Sequence, residues 1–565
     1  MSGNPKTRRE LLGAATGLAA VALASCQAHP DAAPPPDAPG PGPDSDPPDG
    51  DGDPPDGDDD PPEDDRRGER LREIFDEFDG RYHEDGGSYG ETNDSDGSSE
   101  SGLLAWAESY VMRAYLLMFR AHGDTAYLDS FVDHTDAVLA NRDSVRGVTD
   151  YRGESSPAWR ADSPFTIGRT ELEDAQGRAT LELRSGLTNG DAGTVTVTAE
   201  GQTFDLVVHN WSQERTTSYH GLTMDPDDAD YAVDRINREG FRNETPDEGL
   251  VTVADLRDDP EEGSVPVTGE FELESPHYVF AVHTGLITLP LVDFAETVLG
   301  PDAPEAVADY EPAAERYLEA AERAVAVHDD QWRETDAGEG YYVFEPGSPT
   351  LHESVDLPHN QMLALGRSLV GLAALTDDPE YADRARGLAR TFGNDVRTND
   401  ADAYVWSYYW SDGEVASGWS ADEANSEYRP WAPGLDDPVN ERPDDIHYGH
   451  IAVEFAARAF DTPAVSEGDD APFRAVDMER FARTYTENVA TPGGDAPGAH
   501  EYVNGAGETS GNHELATPMW TVLTPWEEDV LEHSEALLDA RLDEYEPGPD
   551  VLLALANLNY WRWRT

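Results

Sequence analysis

Two periodicities alternate along this chain. From residue 101 the apolar positions recur at helical spacing in "GLLAWAESYVMRAYLLMFRAHG" and again in "AYLDSFVDHTDAVLANR". The second segment begins after "GDT", which supplies a turn and a cap. Upstream, "RGERLREIFDEFDG" (67–80) reads as a short amphipathic helix. Between 165 and 275 the period shortens to two in "FTIGRTEL", "ATLELRSG", "GTVTVTAEG", "TFDLVVHNW", "GLVTVADL" and "VPVTGEFELE". Val, Thr and Phe alternating with polar residues between glycines predict strands, with a hairpin about Gly201 and Gln202. Helical spacing returns in "HYVFAVHTGLITLPLVDFAETVL", "APEAVADYEPAAERYLEAAERAVAVHDD", "LPHNQMLALGRSLVGLAALT", "PEYADRARGLARTFGNDVR", "AVDMERFARTYTENVA", "PWEEDVLEHSEALLDARL" and "DVLLALANLNYWRW".

These helices come in pairs. The first member is apolar on most faces and the second is amphipathic and charged, most clearly in "LPHNQMLALGRSLVGLAALT / DDPEYADRARGLARTF". No fixed short repeat is visible, and the loops between pairs are long and aromatic. The expected fold is mainly α: an (α/α)6-type toroid of paired helices with a β-rich insertion, the alternative being a helical-repeat solenoid. The expected organisation places a signal at 1–26 and a tether at 27–66. The first toroid helices follow at 67–164, the β-rich insertion at 165–275 and the rest of the toroid at 276–565.

The N-terminus reads as an address. Arg8 and Arg9 precede the apolar run "LLGAATGLAAVALAS", a pattern that looks like a twin-arginine export signal. The run ends in "LASC", which resembles a lipobox and makes Cys26 the expected lipid anchor, holding the protein at the outer face of the cell membrane. Cys26 is the only cysteine, so no intramolecular disulfide can form. Residues 27–66, almost entirely Pro, Asp and Gly with their neighbours' charges repelling, cannot bury a core and read as an extended tether.

Charge narrows the partners. The formal net charge is −77, and lysine occurs once, at Lys6. Such an acidic, lysine-poor composition resembles that of proteins from salt-loving archaea. In molar salt the Debye length is only about 3 Å, so self-repulsion is screened. No basic patch is available for phosphates, which argues against nucleic acid. A monomer is expected. The triplets at Asn93, Asn210 and Asn243 are candidate glycan acceptors.

Candidate chemistry concentrates in "DDIHYGHIAVEFAARAF" (444–460). His447, His450 and Glu454 fall within about a 60° arc of a helix, beside an apolar stripe of Ile446, Val453, Ala457 and Phe460. Such an edge faces either solvent or a cavity. The spacing is also compatible with a divalent-metal site, although it matches no known zinc signature. A glycoside hydrolase would need two carboxylates about 5–10 Å apart, and Asp444, Asp445, Glu454 and Glu345 are all available.

The segments "LPHNQMLALGRSLVGLAALTDDPEYADRARGLARTF", "YVWSYYW" and "DDIHYGHIAVEFAARAF" are similar to segments of toroidal carbohydrate-active proteins. The families resembled are the uronate-acting (α/α)-toroid polysaccharide lyases and the C-terminal domain of glucuronyl C5-epimerases. The resemblance covers roughly residues 277–490 and leaves out the β-rich stretch. It implies a carbohydrate groove across the inner-helix ends and a polysaccharide substrate.

Such chemistry removes the C5 proton beside a carboxylate, so the carboxylate must be neutralised and a base supplied. Asn360 and Gln361, at a helix start, are the expected neutralising donors, with His359 beside them. His447 is the expected base, with His450 near it, and Tyr448, Tyr408 or Tyr409 the expected acid. Trp406, Tyr409 and Trp410 are the expected sugar-stacking wall. His277 and His283 join from a third helix. No resident cofactor is expected. β-Elimination leads; C5 epimerisation, hydrolysis and glycan binding without catalysis stay open on the same residues. "TSGNH" (509–513) reads as a loop with Ser510 and His513 and no assigned chemistry.

Overall fold

The computed structural model describes residues 63–84, 102–185, 193–211, 214–239, 250–257, 259, 264–350, 353–417, 442–467, 471–491, 497–509 and 511–564. The expected signal, Cys26, Asn93, Asn243 and the tether as far as residue 62 lie outside the described residues; residues 63–66, expected in the tether, are instead helical and open the first described helix. The chain divides into two units, Met1–Arg70 and Leu71–Thr565. Of the first, only the opening of helix α1 (Glu63–Glu84) is described. The second carries the rest of α1 and every other described element.

The protein is mainly α. A π turn (Leu104–Glu108) leads into α2 (Ser109–His122), and α3 (Ala126–Ala140) follows. After a run of strands and a short helix α4 (Ala232–Glu239) come α5 (Ala281–Leu299) and α6 (Glu311–Val325). Next come α7 (His359–Leu375), α8 (Pro379–Asp395), α9 (Ile446–Asp461) and α10 (Ala475–Arg483). A 3₁₀ helix (Gly511–Leu523), α11 (Asp529–Arg541) and α12 (Pro549–Arg562) complete the chain.

Packing follows the apolar patterning. Helix α5 packs on α7, α7 on α9, α9 on the 3₁₀ helix, that helix on α12, α12 on α2, and α2 on α5. Each of these elements except the 3₁₀ helix is buried along most of its length, which is why their sequences are apolar on nearly every face. Helices α3, α6, α8 and α11 each back one of them: α2, α5, α7 and the 3₁₀ helix. They carry the charged outer faces. Helix α5 is long and apolar enough to cross a membrane, and it is mostly buried in the core.

The closest approach is between α5 and α7. A Cβ at Gly285 would stand 2.3 Å from the Leu365 backbone nitrogen and 2.4 Å from the Ala364 carbonyl carbon, so only glycine fits. Beyond it, the Ser368 and Thr288 hydroxyls meet at 2.8 Å. Sequence-local caps fix several starts: Asp378 accepts the Glu380 N–H at 3.0 Å at the head of α8, and Asp445 accepts the Tyr448 N–H at 2.9 Å at the head of α9.

Strands occupy the stretch between α3 and α5. Strands β1 (Arg169–Glu173), β2 (Ala179–Ser185) and β6 (Val251–Asp255) form one antiparallel sheet in the order β1-β2-β6. Strands β3 (Gly193–Glu200), β4 (Thr203–Asn210), β5 (Arg215–Thr223) and β7 (Gly269–Glu272) form another, in the order β5-β4-β3-β7. Glu200 pairs with Thr203, so the hairpin turns on Gly201 and Gln202, with Gly201 at φ 68°. Their inward residues, including Leu172, Leu183, Val195, Val197, Phe204 and Leu206, make a hydrophobic core separate from the helical one. Asn210 is buried at the end of β4, which removes it as an accessible glycan acceptor.

Candidate functional site

The N-terminal turns of several of the core elements bring polar side chains together. Trp106, in the π turn before α2, is the hub. Its ring lies 6.3 Å from His283 at the start of α5, 6.0 Å from Tyr448 and 6.5 Å from His447, the last stacked at 27°. His447 lies 5.9 Å from His513, in the first turn of the 3₁₀ helix, and 6.1 Å from His450. Tyr448 lies 5.7 Å from Tyr408, which packs edge-on against Tyr409. The Tyr408 carbonyl accepts the His359 N–H at 3.0 Å, tying this loop to the head of α7 beside Asn360.

Exposure separates a rim from a floor. Trp106, Gln361, Tyr409, His447 and His513 are partly exposed, whereas His283, Asn360, Tyr408, Tyr448 and His450 are buried. The polar atoms are largely unspent. Trp106 Nε1, His283 Nε2, Asn360 Oδ1, Gln361 Oε1, His447 Nδ1, His450 Nε2 and His513 Nδ1 have no hydrogen-bond partner among the described residues. Buried polar atoms are usually satisfied; a cluster of unsatisfied ones on five elements marks a place that meets water or ligand.

The imidazoles are held neutral. Burial lowers His447 to about 4, with His513 adding to the shift. Burial alone takes His283 to about 3. Burial and the neighbouring His447 hold His450 well below the usual histidine range. Each is therefore a base or hydrogen-bonding group at neutral pH.

Below them lies a charged cluster that sequence reasoning missed. Arg113 Nη2 on α2 donates to Glu454 Oε1 at 2.6 Å, and Arg367 Nη1 on α7 donates to Glu454 Oε2 at 2.5 Å. Burial opposes ionisation of Glu454, but the two guanidiniums hold it well below the carboxylate range. Two cations share one anion, and Arg113 Nη1, Arg367 Nε and Arg367 Nη2 are buried without a partner among the described residues. Arg113, Arg367 and Glu454 all act electrostatically on both His450 and Tyr110. Asp550, in the first turn of α12, also acts on Tyr110, and burial pushes its carboxyl up to about 7.

Several expected roles change. Glu454, expected to contact substrate or a metal, instead has each of its oxygens hydrogen-bonded to an arginine. Among the described residues no group of three His, Cys, Asp or Glu is placed to hold a metal ion. His359 is sealed away from the rim: its Nε2 meets Asp395 Oδ2 at 2.7 Å, its ring stacks edge-on against Phe392, and Asp395 also binds Ser411. Trp406 is core and not a sugar wall. Its Nε1 donates to Asp444 at 2.8 Å, and its ring packs against Phe392, Phe481 and Trp520. Trp410 packs on Tyr341, lining a separate cavity. His277 lies ahead of α5 and faces Asp162 at 3.5 Å.

The carboxylates proposed for hydrolysis are likewise occupied. Asp444 accepts Trp406, Asp445 caps α9, and Glu345 binds Arg152 at 2.5 Å. Burial raises both Asp444 and Asp445, with the Asp445 charge adding to the shift of Asp444. Comparison with protein-family models and with curated proteins finds no match to this chain.

Proposed function

We propose that this protein is an extracellular polysaccharide lyase acting on a uronate-containing polymer by β-elimination, with Trp106 and His447 at the rim of the site and Tyr448 buried beneath them. One observation carries the reading: in a chain of net charge −77, the floor of this site holds two guanidiniums hydrogen-bonded to one carboxylate, with three guanidinium nitrogens unspent among the described residues. A locally cationic floor favours an anionic sugar. His447 takes the C5 proton on its unpartnered Nδ1. Electrons move to form the C4–C5 double bond as the C4–O bond breaks, and the Tyr448 phenol protonates the departing oxygen. Solvent then returns the proton from His447 to Tyr448. The side-chain amide N–H groups of Asn360 and Gln361, with the guanidiniums behind them, donate to the substrate carboxylate and offset its charge.

The cyclic order in which α5, α7, α9, the 3₁₀ helix, α12 and α2 pack, with partner helices outside, supports an (α/α)6 toroid with the site at the inner-helix N-termini. Export by the twin-arginine route and anchoring through Cys26 complete the proposal; both rest on the N-terminal pattern alone.

The test is incubation of the purified chain with several polyuronates in molar salt, following ultraviolet absorbance of the unsaturated product. Absorbance that grows and is lost in His447→Ala supports elimination. New reducing ends without absorbance would establish hydrolysis instead, and deuterium uptake at C5 without cleavage would establish epimerisation. Binding alone would leave a glycan-binding protein.

A further inference from the structure

A cavity opens beside the head of α7, with a volume of about 390 Å³, within the range of small-ligand pockets. Tyr341 and Trp410 form one wall, their rings 5.1 Å apart at 47°. Asp356, 2% exposed, lies at its base. Its Oδ1 accepts the Val415 N–H at 3.1 Å, the Glu414 N–H also stabilises the carboxylate, and its Oδ2 has no hydrogen-bond partner among the described residues. The chain passes over that oxygen at Gly413, where a Cβ would stand 2.3 Å from Oδ2. Only glycine leaves room for that oxygen where the chain crosses it.

The cavity's charge is opposite to that of the His447 site. Asp356, Asp412 and Glu414 line it against a single cation, Arg333, whose Nη1 already donates to the Asp330 and Trp332 carbonyls. A uronate carboxylate would meet repulsion here. A neutral ring would not: its C–H face can lie on the aromatic wall, and its hydroxyls can donate to a carboxylate. A metal ion is disfavoured, since no three ligating groups are placed to hold one among the described residues.

We infer that this cavity is a binding subsite for a neutral, hydroxyl-bearing sugar ring, with a hydroxyl donating to Asp356 Oδ2 and the ring lying against Tyr341 and Trp410. Tyr408, which packs on Tyr448, and Trp410 are two residues apart, so their Cα atoms are separated by at most about 7 Å. Adjacent rings of one chain can therefore occupy both places. If the uronate reading of the first site holds, on which this step rests, the substrate is a mixed polymer in which neutral sugars neighbour uronates. Burial pushes Asp356 up to about 6, countered in part by the Val415 N–H, so the acceptor is ionised at neutral pH and is lost on acidification.

The experiment is calorimetric titration of the full chain in molar salt with neutral tetrasaccharides (gluco-, xylo-, manno- and galacto-series) and with uronate tetrasaccharides. At least one neutral tetrasaccharide should bind. Gly413→Ala and Asp356→Asn should each weaken it at least tenfold while leaving uronate binding within twofold. Tyr341→Ala, on a half-exposed ring, serves if Gly413→Ala fails to fold, and should weaken neutral-sugar binding by a similar factor. No neutral sugar bound, or neutral binding unchanged by these variants, overturns the inference. Loss of uronate binding and of elimination with neutral binding intact would overturn the first site's reading and leave this one standing.

Discussion

The Nδ1 of His450 lies 2.6 Å from the carbonyl oxygen of His447, three residues earlier in the same helix. A carbonyl only accepts, so Nδ1 carries the proton and Nε2 presents a bare lone pair. That lone pair is buried without a partner among the described residues, coupled electrostatically to His447 on one side and to Arg113, Arg367 and Glu454 on the other. The relationship joins the rim to the cationic floor through one ring.

His447, the proposed base, sets where the proposed activity should fail in acid. With its imidazole lowered to about 4 by burial and His513, it is neutral above that value and protonated below it. The base is thus retained as pH falls through 6.5 and lost only near 4. The kcat/KM profile for elimination should show its acid limb near pH 4. A limb near 6.5 would mean an exposed histidine does the work.

Glu454 should matter first to stability. Removing the shared anion in Glu454→Gln leaves two buried guanidiniums uncompensated, at a cost of about 3–5 kcal/mol. Denaturant unfolding should show this loss. Arg367→Met should reduce activity on polyuronates far more than binding of a neutral oligosaccharide, because it removes positive charge from the floor alone.

His359 separates structure from catalysis. Its bond to Asp395 is sealed in the core. His359→Ala should lower stability by about 2 kcal/mol, the scale of a charge-assisted hydrogen bond. In whatever fraction remains folded, kcat should stay within a few-fold of the parent. A hundredfold loss of kcat with unchanged stability would restore His359 to the site.

Gly285→Ala tests the tightest packing in the helical core. The added methyl meets backbone of Ala364 and Leu365, which cannot rotate away. Overpacking of this kind costs about 1–3 kcal/mol. A Tm unchanged from the parent would show that α5 and α7 can separate at little cost.

Local patterning made much of this protein readable. Helical periodicity located α5, α7, α8, α9 and α12, and alternation located the strands, because each depends on which face of one element meets apolar neighbours. The edge of α9 carrying His447 and His450 was legible for the same reason. The 3₁₀ helix was not: Pro518 and mixed polarity give Gly511–Leu523 no clean period, so His513 looked like a loop residue. Nor was the π turn at Leu104–Glu108, whose extra residue per turn leaves no mark in the sequence.

The sequence by itself determined which segments are helix or strand and which histidines and aromatics were available. Tertiary structure alone decided their use. It turned Trp406 and His359 into core, bound Glu454 between arginines from two other helices, and set Trp106 against three rings distant in the chain. The reason is physical: amphipathic periodicity is written in neighbours three or four residues apart, whereas a partner 341 residues away, as Arg113 is from Glu454, is chosen by how whole helices pack.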